Sequence, residues 1–129
     1  MKKITLLILI LITLLSLKIP PYIELNDLII IETIIIKKDN NIYNVYLKEI
    51  IPKKDNNSII YEYKYYDSKN NNIIKAIESI QTKTDKKIYI SKTKTLITNI
   101  SNTDKLKKEL NIKPNSIIHT KNIEKYLKN

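Results

Sequence analysis

The feature that most constrains the fold is a run of residues that would be apolar on both faces if it were extended. Residues 28–36 read Leu-Ile-Ile-Ile-Glu-Thr-Ile-Ile-Ile, so apolar side chains occupy both sets of alternating positions. β-Branched isoleucine favours strands over helices, and a strand that is apolar on both faces is expected to be covered on both. We therefore predict a central strand here, in a sheet that is covered by helices.

The segments that follow predict two further strands. Residues 39–41, Asp-Asn-Asn, predict a turn, because asparagine tolerates the left-handed backbone that glycine usually supplies and the chain has no glycine. A second strand is predicted over 42–51, then a loop over 52–58, then a third strand that alternates polar and apolar side chains from Ile59 onward. The simplest arrangement of the three strands is a meander.

The second half of the chain alternates helical and strand patterns. A turn over 68–72 is followed by a predicted helix from residue 73 to about 80. Strands are then predicted over 87–91 and 95–100, either broken or continuous through 92–94. The last predicted elements are a helix capped by residues 101–104 and ending near 110, a strand over 116–119 and a terminal helix capped by Thr120. The predicted fold class is α+β (mixed α/β): one small domain, residues 24–129, whose mixed β-sheet is covered by about three helices. We expect this domain to be a monomer.

The first 18 residues have the layout of an export signal, since Lys2 and Lys3 precede a mostly apolar run. As a helix this run is about 21 Å long, against roughly 30 Å for the hydrocarbon core of a bilayer. Residues 1–18 are predicted to be a signal anchor or signal peptide, and residues 19–23 a linker. The predicted membrane-anchor residues are Ile4, Leu6, Leu7, Ile8, Leu9, Ile10, Leu11, Ile12, Leu14, Leu15 and Leu17.

The flanks of this run predict its fate and its orientation. No pair of small residues follows it to form a cleavage site, so we favour an uncleaved anchor. The two lysines before the run favour a cytoplasmic N-terminus, with everything after Pro21 outside. A surface-packed helix of a cytoplasmic protein is the alternative, but it needs a polar face that the three hydroxyl groups of the run do not supply. The predicted localisation is therefore a membrane, on its extracytoplasmic face.

Composition excludes several kinds of site. The absence of cysteine excludes disulfides, thiolate metal sites and a cysteine nucleophile, and the absence of glycine excludes P-loop and Rossmann nucleotide sites. The net charge of +10 comes from lysines that are spread among acidic residues, without the basic stripe of a nucleic-acid site. We therefore predict no cofactor, no metal and no nucleic-acid partner.

Few residues remain that could carry catalysis. His119 is the only histidine, and we predict a partly buried structural role for it. Glu24 and Asp27 could form an acid/base pair, but we interpret them as capping or turn residues because so small a domain builds no cleft. No enzyme is predicted, and a small secreted enzyme that uses carboxylates alone is the rival hypothesis.

Tyrosines are concentrated in the predicted third strand. Tyr61, Tyr63 and Tyr65 alternate there, with Lys64 among them and other tyrosines at 43 and 46. These residues could form an aromatic platform for bases or sugar rings. Their alternation instead favours packing in the core or against a neighbouring strand, which is our prediction.

The chain resembles the Ger(x)C family of spore germination proteins at several points. Residues 24–28, Glu-Leu-Asn-Asp-Leu, precede a β-rich run and Ile-Ile-Pro at 50–52, as at the start of the mature family domain. Ala-Ile at 76–77, in a predicted helix, and Lys-Ile-Tyr-Ile-Ser-Lys-Thr-Lys at 87–94 are similar to the family's "EAI" helix and the strand that follows it. Residues 113–118 look like the last strand of the family's N-terminal domain.

This resemblance implies a non-enzymatic subunit of a spore nutrient germinant receptor, the C subunit, on the outer face of the inner spore membrane. Its implied partners are integral membrane receptor subunits, and its implied role is assembly or signal coupling. Family members are lipoproteins, so in a chain without cysteine the apolar run itself is expected to be the anchor. The alternative is a generic secreted or membrane-tethered interaction domain unrelated to spores. The family-motif residues, with an implied structural or assembly role, are Glu24, Leu25, Asn26, Asp27, Leu28, Ala76, Tyr89, Ser91 and Lys94.

Overall fold

The computed structural model describes residues 2–16 and 27–127. The helices are α1 (Lys2–Ser16), α2 (Ile73–Thr82), α3 (Thr103–Leu110) and α4 (Glu124–Leu127). The strands are β1 (Leu28–Asp39), β2 (Ile42–Asp55), β3 (Ser58–Asn70), β4 (Lys87–Tyr89), β5 (Thr95–Thr98) and β6 (Ser116–His119). The mixed α/β class with a mixed sheet is therefore confirmed.

The strand order in the sheet is β3-β2-β1-β5-β6, with β4 also pairing with β1. β1, β2 and β3 are joined by two hairpins and pair antiparallel, as the predicted meander requires. β4 and β5 run parallel to β1, and β6 runs parallel to β5. β1 thus lies in the middle of the sheet, which confirms the central strand predicted from its isoleucines.

A β-bulge at Glu32 changes which side chains of β1 share a face. Between Ile31 and Thr33, β1 uses two residues where β2 uses one. Because side chains alternate between the two faces of a strand, this extra residue shifts the alternation by one. Ile31 before the bulge and Ile34 after it therefore enter the same core.

The bulge also marks the point where β1 changes its parallel partner. β4 pairs with residues 28–30 of β1, and β5 pairs with residues 33–36. In the gap between them, the Lys94 backbone N–H donates to the Glu32 carbonyl at 2.8 Å. Of the two alternatives that the sequence left open, a broken strand is therefore the correct one.

The two faces of β1 lie in two separate cores, so the predicted covering on both sides is confirmed. The smaller core contains Ile35, Ile97 and Ile123, with half-buried residues of α4 packed against it. The larger core is covered by α2 and α3. Its buried residues are Ile29, Ile31, Ile34, Ile36, Val45, Leu47, Ile73, Ala76, Ile80, Leu96, Leu106, Leu110 and Ile112.

Asparagine begins and ends helices in this chain. Asn72 caps α2 and Asn102 caps α3, each with its side-chain oxygen accepting from a backbone N–H at 3.1 Å. Asn111 ends α3 with the left-handed φ of 52° that glycine usually supplies. The caps predicted for residues 101–104 are therefore confirmed, and Asn40, with φ of 54°, confirms the first turn.

Several predicted boundaries are wrong. The strands predicted over 87–91 and 95–100 end at Tyr89 and Thr98. The predicted loop over 52–58 is instead the end of β2, a two-residue turn and the start of β3. β3 continues to Asn70, so the turn predicted over 68–72 is shorter. Thr120 does not cap α4, because its hydroxyl accepts from the N–H of Asn122 in the turn that precedes the helix.

Candidate functional site

The hairpin of β2 and β3 separates from the rest of the sheet and continues as a two-stranded ribbon. β1 makes its last pairing with β2 at Glu49, whereas β2 and β3 go on pairing from Ile50 opposite Tyr63 to Asp55 opposite Ser58. At about 3.4 Å per residue, this ribbon is roughly 20 Å long. We call residues 50–63 the arm.

The local sequence of the arm specifies a hairpin. Asn56 has φ of 50° in the two-residue turn, and the Ser58 hydroxyl donates to the Asp55 carbonyl at 3.0 Å. Isoleucine and tyrosine in β3 favour a strand. Pro52 lies beyond the last pairing with β1, where its missing N–H interrupts no three-stranded ladder. The arm is therefore a regular hairpin and not a loop.

The arm is exposed along its length, since every side chain from residue 52 to residue 65 is in contact with solvent. Ile59, Tyr61 and Tyr63 are 64, 55 and 47% exposed and lie on one face. Ile50 and Pro52 lie directly opposite two of these residues and extend the apolar surface across to β2. We call this surface the tyrosine stripe. Its residues are Ile50, Pro52, Ile59, Tyr61, Tyr63 and Tyr65.

Of the two packings predicted for the tyrosines, packing in the core is wrong, and packing against a neighbouring strand is confirmed by their pairing with β2. Tyr61, Tyr63 and Tyr65 do have cross-strand neighbours on β2, but their rings remain exposed. The platform for bases or sugars that would combine them with Lys64, Tyr43 and Tyr46 is not assembled. Lys64 belongs to the opposite face of β3, and the other two tyrosines pack against the two cores.

Charged side chains hold the arm on both faces. Lys48 places its Nζ 4.1 Å from the centre of the Tyr63 ring, a distance at which the ammonium is attracted to the ring face. On the other face Lys53 and Glu62 form an ion pair of 2.6 Å, about half exposed on each side. An exposed pair of this kind contributes only about 0–1 kcal/mol. The order of the arm therefore depends mainly on its backbone pairing and its turn.

A buried carboxylate lies at the base of the arm. Glu49 is only 8% exposed, and its Oε2 accepts a hydrogen bond of 2.7 Å from the Tyr66 hydroxyl. Burial of the phenol, together with this hydrogen bond and the charge of Glu49, raises the pKa of Tyr66 to about 12. The pair therefore fixes β2 to β3 where the arm begins.

Two small cavities adjoin this pair and a third lies at α3. The first two, of about 280 and 300 Å³, are both lined by Glu49, Ile51 and Lys86. The third, of about 550 Å³, is an open groove next to Lys107 and Lys113 at the end of α3. The cavity of about 300 Å³ is also lined by Asp85 and Lys64, so two carboxylates and two lysines border it.

The other candidates from the sequence do not form a site. His119 is exposed at the end of β6, so its predicted partial burial is wrong. Asp27 is exposed, and Glu24 lies outside the described residues. Within residues 2–16 and 27–127, no group of three His, Cys, Asp or Glu side chains could hold a metal ion.

Some family-motif residues lie next to one another. Leu28 pairs with Lys87, and Ile30 pairs with Tyr89, so the start of β1 lies beside the segment that resembles the family strand. Ala76 is fully buried in the larger core, on α2. Ser91 is exposed in the turn after β4.

Lys94 acts through its backbone. Its carbonyl accepts from the N–H groups of Asn115 and Ser116, while its own N–H binds Glu32 at the bulge. The remaining motif residues, Glu24, Leu25 and Asn26, lie outside the described residues, as does the predicted anchor residue Leu17.

The predicted anchor residues that the structure describes lie on α1. Their side chains are half to two-thirds exposed all around the helix. They are Ile4, Leu6, Leu7, Ile8, Leu9, Ile10, Leu11, Ile12, Leu14 and Leu15. Among the described residues, no helix is both long enough and apolar enough to cross a membrane.

The sequence carries a signal for the arm that the predicted loop over 52–58 does not use. Residues 55–57 repeat the Asp-Asn-Asn of residues 39–41, where a turn was predicted correctly. Asp-Asn-Asn between two β-rich segments predicts a tight hairpin at both places. Reading the second copy as a turn would have extended β2 and β3 to the end of the arm.

Comparison with protein-family models, with curated proteins and with solved structures gives no match to this chain. The candidate functional site is therefore defined by geometry alone, as the exposed arm with its tyrosine stripe.

Proposed function

We propose that this chain is a non-enzymatic, membrane-anchored subunit or assembly domain on the extracytoplasmic face of a membrane. In this proposal it resembles the C subunit of a spore nutrient germinant receptor and acts in spore germination. The observation that carries the binding role is the tyrosine stripe, because contiguous exposed apolar side chains on a projecting hairpin are typical of an interaction site.

The stripe has the composition of a protein-binding surface. Buried tyrosines dominate the energy of many protein interfaces, since each ring brings a large contact area with few rotatable bonds. Tyr61 and Tyr63 lie side by side on the same face, and Lys48 already holds one ring in place. Because the arm is already a regular hairpin, its backbone would lose little conformational freedom on docking.

The membrane tether in this proposal is α1. Its apolar side chains are exposed on all sides, and Lys2 and Lys3 precede them. An apolar helix shorter than the bilayer core can be accommodated by local thinning and by lysines that reach the interface. A tether confines the arm to the membrane surface, which raises its effective concentration toward an integral membrane partner.

The proposal can be tested by photocrosslinking from the arm in native membranes. A photoreactive phenylalanine analogue at position 61 is expected to give a discrete adduct with an integral membrane protein, which its mass distinguishes from an adduct between two copies of this chain. Adding Tyr63→Ser should abolish the adduct, because it removes the neighbouring ring of the stripe. The matched control is Ile42→Ser with Ile117→Ser, which changes two exposed apolar residues off the arm and should leave the adduct intact.

Identification of the adduct separates the alternatives. A germinant-receptor subunit supports the full proposal, whereas a membrane protein with no role in spores supports the generic interaction domain. Turnover of a substrate by the purified chain, or no adduct from any position of the stripe, would contradict both.

A further inference from the structure

The outer edge of β3 has no neighbouring strand in the part of the chain that the structure describes. β3 is the first strand of the sheet order and pairs with β2 alone. It has 13 residues without proline, and the opposite edge strand, β6, has only four. A long regular edge of this kind offers a row of backbone donors and acceptors to another strand.

A second copy of the chain can use this edge in a restricted set of registers. Two copies of one strand pair antiparallel when a two-fold axis runs perpendicular to the sheet. This axis keeps each face of the sheet on the same side in both copies. A residue of the tyrosine stripe must then lie opposite another residue on the same face of β3. This is possible only in registers in which one residue lies opposite its own copy, at the axis.

Charge selects one of these registers. An axis at Glu62 would place Glu62 opposite itself, and an axis at Lys64 would place two lysines opposite each other. With Tyr63 on the axis, Glu62 of each copy lies opposite Lys64 of the other, which gives two ion pairs. Tyr61 of each copy then lies opposite Tyr65 of the other, and β3 overlaps over residues 58–68.

We propose that the chain forms a two-fold dimer through the outer edges of β3, with Tyr63 of the two copies opposite each other on the axis. The sheet then continues from one copy to the next, and the two tyrosine stripes join into one surface. This dimer replaces the monomer expected from the sequence. It uses the edge of β3 and not the face of the arm, so it stands or fails independently of the proposed function.

The first test uses disulfides in the full-length chain, which has no cysteine of its own. Residues directly opposite in an antiparallel pair have Cα atoms about 4.5–5.5 Å apart, within the range of a disulfide. Tyr63→Cys should therefore crosslink to itself under a mild oxidant in detergent or liposomes. Tyr61→Cys and Tyr65→Cys place their own copies about 14 Å apart and should each fail alone, yet crosslink when mixed.

The second test reverses the charges beside a Tyr63→Cys reporter, in a Lys53→Ala chain, because Lys53 otherwise forms an ion pair of 2.6 Å with Glu62 of its own copy. Glu62→Lys and Lys64→Glu should each lower the dimer yield roughly tenfold, because each places like charges opposite one another at two points. The two changes together should restore it. Lys69→Glu is the matched control, since residue 69 lies outside the overlap, and it should leave the yield unchanged.

Other results would overturn the proposal. If position 63 crosslinks no better than 61 or 65 alone, the two-fold register is wrong. If all three positions crosslink alone, association is unspecific. A double charge reversal that stays as weak as the single changes would exclude the pairing of Glu62 with Lys64.

Discussion

Replacing Ile34 with alanine is expected to lower the free energy of unfolding by about 2–5 kcal/mol, the usual range for deleting buried isoleucine atoms. Ile34 is 0% exposed and lies in the larger core, on the central strand. A domain of this size is stable by only about 5–15 kcal/mol, so this loss is a large fraction of the total stability. Urea unfolding followed by circular dichroism measures the loss.

Ile59→Ala is the matched control for this prediction, because it makes the same chemical change at a residue that is 64% exposed on the arm. Its effect is expected to stay within about 0.5 kcal/mol. If Ile59→Ala costs as much as Ile34→Ala, the arm is packed against the domain, and the candidate interaction surface is wrong.

Replacing Tyr66 with phenylalanine is expected to cost about 1–3 kcal/mol at neutral pH, because it leaves the nearly buried carboxylate of Glu49 without its phenol donor. Tyr63→Phe removes a hydroxyl from an exposed tyrosine and should have almost no effect. Equal stability of the two variants would contradict the hydrogen bond as the link between β2 and β3.

The stability that Tyr66 contributes to the fold is expected to depend on pH. The pKa of Tyr66 is raised from 10.0 to about 12, so the folded state holds the phenol proton more tightly than the unfolded chain does. The stability from Tyr66 is therefore fully present below pH 10 and is lost as the pH rises from 10 to about 12. The difference between the natural chain and Tyr66→Phe should narrow over that interval. A difference that stays constant to pH 12 would contradict the raised pKa.

Much of the fold can be predicted from local sequence patterns, because they agree with the elements of the structure. Isoleucine on both alternating faces of residues 28–36 predicts the central strand, because only a strand covered on both sides hides so many apolar side chains. The helix from Ile73 is predicted by its spacing, since its buried residues recur every three or four positions. The bulge at Glu32 is not predictable in this way, because it depends on where β4 ends and β5 begins.

The arm shows where the same reasoning fails. Alternation of polar and apolar side chains along a strand usually indicates one buried face and one exposed face. A ribbon that leaves the sheet has no buried face. Tyr61 and Tyr63 keep the alternating pattern, yet they are 55 and 47% exposed. Pro52 and the two lysines after it have the composition of a loop, which hid the continuation of β2.

The residue types of the candidate site were therefore noticed in the sequence, but their burial was predicted incorrectly. The sequence singled out Tyr61, Tyr63 and Tyr65, and only the separation of β2 from β1 after Glu49 accounts for their exposure. His119 was assigned partial burial because β6 is a strand, yet it lies at the exposed end of an edge strand. Such environments depend on long-range pairing, which a single sequence does not specify.

The most direct test of the central claim is the labelling of a single cysteine at the turn of the arm. Asn57→Cys adds the only thiol to a chain without cysteine, at an exposed residue far from both cores. Protoplasts are treated with a maleimide that does not cross membranes, and membranes are then separated from soluble protein. As a control for intact protoplasts, a cytoplasmic protein with a reactive thiol must stay unlabelled. The account predicts a labelled chain in the membrane fraction. A chain that is labelled only after lysis, or that is recovered among soluble proteins, would contradict it.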